Sequence, residues 1–213
     1  MEIGEHQILM EYQDINVIQI TIDNTNKTVD KYVIGKTSPD IILNHLQKFT
    51  SLLPGTDILD IGSGPGRDCK YFSDNGFNSI GIDLSEEMLK YARNNDNKSI
   101  YLNMDIRDLS KIPWKFDGIW SCASLHHLPK KYILNVLEQI HSILNDNGIL
   151  FISVKQGNGE SIELHKQTGV DKFYAKYHKD ELINLLKLSK FEIIDTGVEN
   201  KLYSWVNVYA RKI

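Results

Sequence analysis

With 213 residues, 41% of them hydrophobic and 24% charged, the chain has the composition of a single globular domain, or of one domain with a modest appendage. A formal net charge of -4 argues against a nucleic-acid binder held by phosphate neutralisation. The two cysteines, Cys69 and Cys122, match neither a zinc spacing nor a disulfide framework, so a reduced cytoplasmic setting and no bound metal are expected.

Residues 1–36 are expected to form an N-terminal extension or cap, and residues 37–213 the main domain. The opening MEIGEHQILMEY has no basic start followed by an apolar core, which is not the pattern of a secretory signal. Residues 1–28 carry five acidic groups against one lysine, and NVIQITID (16–23) reads as a candidate strand. From residue 57 short runs rich in Ile, Leu and Val alternate with helical stretches. DILDIG (57–62), SIGIDL (79–84), SIYLNMD (99–105), FDGIWSCAS (116–124) and GILFISVK (148–155) show little polar alternation, as expected of parallel strands buried on both faces. Between them GRDCKYFSDNG ends at Gly76, SEEMLKYARNN opens on the N-cap candidate Ser85, and PKKYILNVLEQIHSILNDNG ends at Gly148. KDELINLLKLSK predicts a last helix, and FEIIDTGV (191–198) with SWVNVYARK (204–212) predicts an antiparallel hairpin that finishes the sheet. The pattern is that of a doubly wound α/β domain. The longest apolar runs are too short to span a bilayer, so no membrane partner is expected.

Three strand ends carry the candidate site. In ILDIGSGPGRD (58–68), Gly62, Gly64 and Gly66 give G-x-G-x-G. A dinucleotide-binding turn calls for G-x-G-x-x-G, and Arg67 occupies its third glycine position here. A phosphate loop fails as well, because no Gly-Lys-Ser/Thr follows. Asp83, in GIDLS, ends the second strand, a position from which a carboxylate can accept both hydroxyls of a ribose. Asp105, in NMDIRDL, ends the third and could receive an adenine amino group. A glycine turn, a ribose acceptor and an adenine acceptor together suit adenosine with an amino-acid tail better than a pyrophosphate carrier.

These segments resemble the class I S-adenosylmethionine-dependent methyltransferases. ILDIGSGPGRD is similar to their first motif, GIDLSEEMLKYAR to the acidic second, MDIRDL to the adenine-side third, FDGIWSCASLHHLP to the fourth and LNDNGILFISVKQG to the fifth. The likeness covers roughly residues 55–157 strongly and extends more loosely to the end, towards bacterial members with Gly-Arg-Asp in the first motif. It implies a mostly parallel seven-stranded sheet of order 3-2-1-4-5-7-6 with strand 7 antiparallel. The cofactor implied is S-adenosylmethionine, lying across the carboxyl ends of strands 1 and 4. The reaction implied is methyl transfer to an O, N or S nucleophile of a small or medium-sized molecule, by a monomer or homodimer. A tRNA or protein acceptor, or a non-catalytic S-adenosylmethionine-binding module, are the alternatives within this likeness, and a nicotinamide oxidoreductase the alternative outside it. The Asn-Pro-Pro-Tyr signature of amino-group methylases is missing after strand 4, where SCAS stands.

Carried onto these positions, the likeness implies that Gly62 and Gly64 admit the methionine portion of the cofactor, with Ser63 beside them and Asp60 orienting the loop. Arg67 would pair with the cofactor carboxylate or with Asp68. Asp83 with Leu84 would hold the ribose, Asp105 with Ile106 the adenine, and Met88 would pack on the adenine or simply belong to the core. Ser121, Cys122 and Ala123 would lie beneath the sulfonium through their backbone. His126 and His127 are candidate general bases, or one of them holds the loop. Tyr32, Lys36, Lys155 and Tyr174, with Glu160 and Trp205, are candidates to face the acceptor.

Overall fold

The computed structural model describes residues 17–34 and 37–213. Helix α1 (17–26) and the short α2 (Val29–Val33) precede α3 (Leu43–Leu52). The chain then alternates β1 (Asp57–Ile61), α4 (Arg67–Asp74), β2 (Asn78–Asp83), α5 (Glu86–Asn95), β3 (Ile100–Asn103) and β4 (Phe116–Cys122). It continues through α6 (Ile133–Ile143), β5 (Leu144–Lys155), a hairpin of β6 (Glu160–His165) and β7 (Val170–Ala175), α7 (Lys179–Leu188), β8 (Phe191–Asn200) and β9 (Ser204–Lys212).

The sheet has the order β3-β2-β1-β4-β5-β9-β8, with β9 antiparallel to both neighbours. This is the predicted seven-stranded order, the final two strands having moved up in number because β6 and β7 form a separate two-stranded sheet. The strands before β6 are parallel; the central β1 and β4 and the second half of β5 are buried on both faces, as their unbroken apolar runs require, whereas the edge strand β3 leaves Ile100 exposed. Against one face, α3 and α4 contribute Leu46, Phe49 and Phe72 around Trp120, whose ring stacks on Phe151 at 4.1 Å between centroids. Against the other, α6 and α7 bury Val136, Leu137, Ile140, Leu182 and Leu186.

The structure corrects two sequence readings and adds one element. Within NVIQITID, residues 17–23 belong to α1 and not to a strand, while Asn16 lies outside the described residues. Ile18, Thr21, Ile22 and Thr25 recur at i, i+3, i+4 and i+7, a helical stripe that the β-branched composition hides. The Thr21 hydroxyl donates back to the carbonyl of Val17 (3.1 Å), which satisfies it within the helix. Second, α6 stops at Ile143 and not at Gly148, because Leu144 already pairs with Phe116 ahead of a bulge in the β4–β5 ladder. The added element is the β6–β7 hairpin, an antiparallel pair outside the main sheet.

That hairpin and the N-terminal helices are tied to one another. The backbone N–H of Phe173 donates to Thr21 Oγ1 (3.0 Å), Asn24 donates to the carbonyl of Asp171 (2.8 Å), and Tyr32 stacks on His165. Asn26 accepts from the Ser85 hydroxyl (2.6 Å), which links α1 to the N-cap of α5.

Candidate active site

The chain order reverses between β1 and β4, and their carboxyl ends open the crevice where ligands of doubly wound sheets bind. A cavity of about 470 Å³ lies there, walled on one side by the ends of β1 to β4 and on the other by α1, β7, β9 and the segment before β9.

The turn after β1 is shaped by close approach. Gly62 has φ +72°, and a Cβ there would sit 2.0 Å from Ser124 Oγ. Gly64, at φ +52°, has nothing within 4 Å of its own would-be Cβ, so its backbone borders open space. Its N–H donates to Asp83 Oδ2 (2.9 Å), and the N–H of Ser85 donates to Asp83 Oδ1 (2.8 Å). Asp83 thus clamps the glycine turn to the start of α5 while its carboxylate lines the cavity. Burial raises its pKa, and the two backbone donors oppose that rise.

Gly62, Gly64, Arg67, Asp83, Leu84, Met88, Asp105, Ile106, Cys122 and Ala123 all line the cavity, as do His126, His127, Tyr32, Lys155, Tyr174 and Trp205. Asp60, Ser63, Ser121 and Glu160 do not. Asp60 lies beneath the turn, where it accepts from the Cys69 thiol (3.5 Å), and burial drives its pKa well up. Ser63 and Ser121 are buried with unpaired hydroxyls away from the wall. Glu160 accepts from the backbone N–H of Lys130. Lys36 lies outside the described residues.

Several lining residues already have structural work. Asp105 caps the short 3-10 turn Ile106–Lys111 through the N–H of Arg107 (2.8 Å) and pairs with the Arg107 guanidinium (2.6 Å). Arg67 pairs side-on with Asp68 (2.5 and 2.9 Å), which also accepts from Trp120 Nε1 (2.8 Å). Met88 is both core and cavity wall.

The two histidines differ in tautomer. His127 Nδ1 lies 2.7 Å from the carbonyl of Phe173, which only accepts, so Nδ1 carries the proton and Nε2 is bare. His126 Nδ1 accepts from the N–H of Lys155 (3.4 Å), which leaves the proton on Nε2. Burial, aided by the neighbouring cations, holds His127 down to about 3 and His126 well below its ordinary range. Both are neutral when folded yet protonate near 6.5 when unfolded. The unfolded chain therefore binds more protons in acid, so stability is complete above pH 6.5 and falls as the pH drops from there towards 3. Melting temperatures recorded from pH 7 to 4 are expected to show this decline, and His127→Gln to flatten it; an equal slope in the variant would contradict the assignment.

Sequence reasoning missed Ile18, Thr21, Ile22 and Thr25 on the cavity wall, as well as Ser124, His165, Lys172 and Tyr203. The α1 stripe carried a helical signal; nothing local announced the hairpin residues. Among the described residues no group of three or more His, Cys, Asp or Glu could hold a metal, and no helix is long and apolar enough to cross a membrane.

Residues 58–148 match the protein-family model described as a methyltransferase domain. Malonyl-[acyl-carrier protein] O-methyltransferase of Enterobacter lignolyticus is 29% identical over 93 residues, covering 44% of this chain and 36% of that protein. The chain spans less than half the length of the curated relatives it matches. Among solved structures, the 1,6-didemethyltoxoflavin-N1-methyltransferase of Burkholderia thailandensis superposes with a TM-score of 0.72 at 21% identity, over 94% of this chain and 89% of that one. Magnesium protoporphyrin IX methyltransferase of Synechocystis superposes with 0.68 at 19% identity, over 92% and 97%. The fold is the Rossmann-like α/β fold of class I methyltransferases.

Proposed function

We propose that the chain is an S-adenosylmethionine-dependent methyltransferase acting on a small or medium-sized molecule. The observation that carries this reading is the clamp at the head of the cavity: a half-buried carboxylate, Asp83, gripping the N–H of Gly64 where a side chain would project into the space. That cradle fits an adenosine ligand. Asp83 would offer its remaining lone pairs to the ribose hydroxyls, Asp105 and Ile106 would border the adenine with Met88, and Arg67 would border the amino-acid tail. The match over residues 58–148 supports the same assignment.

When bound, S-adenosylmethionine supplies a methyl group already activated on a sulfonium. The residues around it have chiefly to align the acceptor and keep water out, and such placement is worth several orders of magnitude in rate. The backbone of Cys122 and Ala123 forms the floor at the end of β4, Ala123 being held in the left-handed region at φ 60°. His127, with its depressed pKa, is a weak base at neutral pH, which favours a hydrogen-bonding role for Nε2 over proton removal. The cap of α1 and α2, bonded to β7 and to Ser85, covers the acceptor side and supports a small acceptor over tRNA or protein.

A thermal-shift series tests the cofactor. S-adenosylhomocysteine at about 100 times its Kd is expected to add about 2.7 kcal/mol of stability, raising the melting temperature on the order of 5–10 °C, whereas NAD(H) leaves it unchanged. Stabilisation by NAD(H) alone would overturn the reading. Transfer of labelled methyl groups into a cell extract then separates an enzyme from a binding module.

A further inference from the structure

Lys155, the last residue of β5, is 5% exposed and lines the cavity. Its ammonium lies 3.2 Å from the centroid of the Tyr174 ring and 4.2 Å from that of Tyr203. The nearest carboxylate oxygen, Glu163 Oε2, is 3.9 Å away, beyond hydrogen-bond length. Glu163 is otherwise engaged through Oε1, which pairs with Lys176 and accepts from the Ser161 hydroxyl. Among the described residues no acceptor lies within hydrogen-bond distance of the Lys155 ammonium. The ammonium therefore borders the cavity with no hydrogen-bonded anion of its own, and ring faces offset only part of the cost of its withdrawal from bulk water.

The surroundings describe what the anion would be attached to. Tyr174, Tyr203, Trp205 and His126 gather around this end of the cavity, His126 lying 5.4 Å from Tyr174 and 5.5 Å from Trp205 between ring centroids. Flat ring faces and a single buried cation complement a planar apolar body with one acidic group. We propose that the methyl acceptor is a ring-bearing organic acid whose anionic group is bound by Lys155. The proposal rests on the methyltransferase reading and adds the chemical class of its substrate. Lys155 would then position the acceptor and need not exchange a proton with it.

The ammonium is faced by Glu163 from β6, Lys166 from the hairpin turn, Lys172 and Tyr174 from β7, Lys176 after it and Tyr203 ahead of β9; neutral His126 packs from beneath. Burial brings Lys155 down to about 8; Glu163 opposes the fall and the three other lysines deepen it. Anion capture needs the protonated form and is therefore expected to weaken as the pH rises from 7 to 9.

Calorimetry on the full chain saturated with S-adenosylhomocysteine tests this, using benzoate and salicylate as probes against their neutral twins benzamide and salicylamide. At pH 7 the acids are expected to bind about tenfold more tightly than the amides, the scale of one charge-assisted hydrogen bond. In Lys155→Met that preference is expected to vanish while S-adenosylhomocysteine still binds, which shows the variant to be folded. In the unaltered protein the preference is expected to shrink between pH 7 and pH 9, a measurement independent of any variant. Amides that bind as well as the acids, acids that do not bind at all, or a tenfold preference that survives Lys155→Met would overturn the proposal and leave the cofactor reading intact. Failure of S-adenosylhomocysteine to bind the unaltered protein would overturn the cofactor reading itself, and the acceptor proposal with it.

Discussion

Asp83→Ala is expected to weaken S-adenosylhomocysteine binding about 100-fold. The proposed contacts are two charge-assisted hydrogen bonds to the ribose, each contributing about 1.5–3 kcal/mol, and every 1.4 kcal/mol is about a factor of ten in affinity. The same carboxylate accepts from the N–H groups of Gly64 and Ser85, so its loss also releases the glycine turn from the start of α5. Asp83→Asn separates the two effects. An amide oxygen still accepts from one backbone N–H, but the charge is gone and the amide's own N–H₂ meets the other donor; an intermediate loss is expected. Calorimetry reads both variants. An affinity for S-adenosylhomocysteine unchanged in Asp83→Ala would remove the ribose assignment, whatever the variant does to thermal stability.

The sheet order was readable because its signals are local and repeated. Each of the parallel strands is a short apolar run, and each glycine turn or cap sits at a strand end or helix end, so errors at one boundary do not propagate. The predicted helix end at Gly148 shows the limit: Gly148 lies inside β5, in its bulged stretch, because Leu144 is drawn into the ladder four residues earlier by its pairing with Phe116. The wall of the cavity formed by the strand ends was equally legible, since Gly62, Gly64, Asp83 and Asp105 lie at or just after the ends of strands and all line it. The opposite wall was not. Tyr32, Lys155 and Tyr174 were singled out, but His165, Lys172 and Tyr203 reach the cavity only through the β6–β7 hairpin and the approach to β9, whose placement depends on contacts distant in sequence. The N-terminal segment failed for a different reason. Its β-branched residues favour a strand by composition, and the bonds that hold α1 in place, from Phe173 to Thr21 and from Asn24 to Asp171, span about 150 residues of chain.

Asp68→Ala is expected to cost about 3 kcal/mol of stability, which for a chain of this size lowers the melting temperature on the order of 10 °C. Asp68 is 6% exposed and satisfies two donors at once, the Arg67 guanidinium and the indole N–H of Trp120. Removing it leaves a largely buried cation and a buried indole donor without their acceptor. Two features keep the cost at the low end of what breaking a buried pair entails. Arg67 borders the cavity and can reach water there, and Asp60, whose pKa Asp68 helps to raise, is relieved of a like-charged neighbour. Trp120→Phe removes the indole donor while Asp68 keeps its pair with Arg67, and it also opens a cavity in a fully buried site, so it is expected to cost about 2–3 kcal/mol. Asp68→Ala also separates the two roles read for Arg67 in the sequence. Freed from Asp68, a guanidinium that serves the amino-acid tail of the ligand should raise the affinity for S-adenosylhomocysteine relative to 5′-methylthioadenosine, which lacks that tail. A ratio of affinities that does not move in Asp68→Ala would assign Arg67 to the ion pair alone, with the glycine turn and Asp83 left to hold the cofactor.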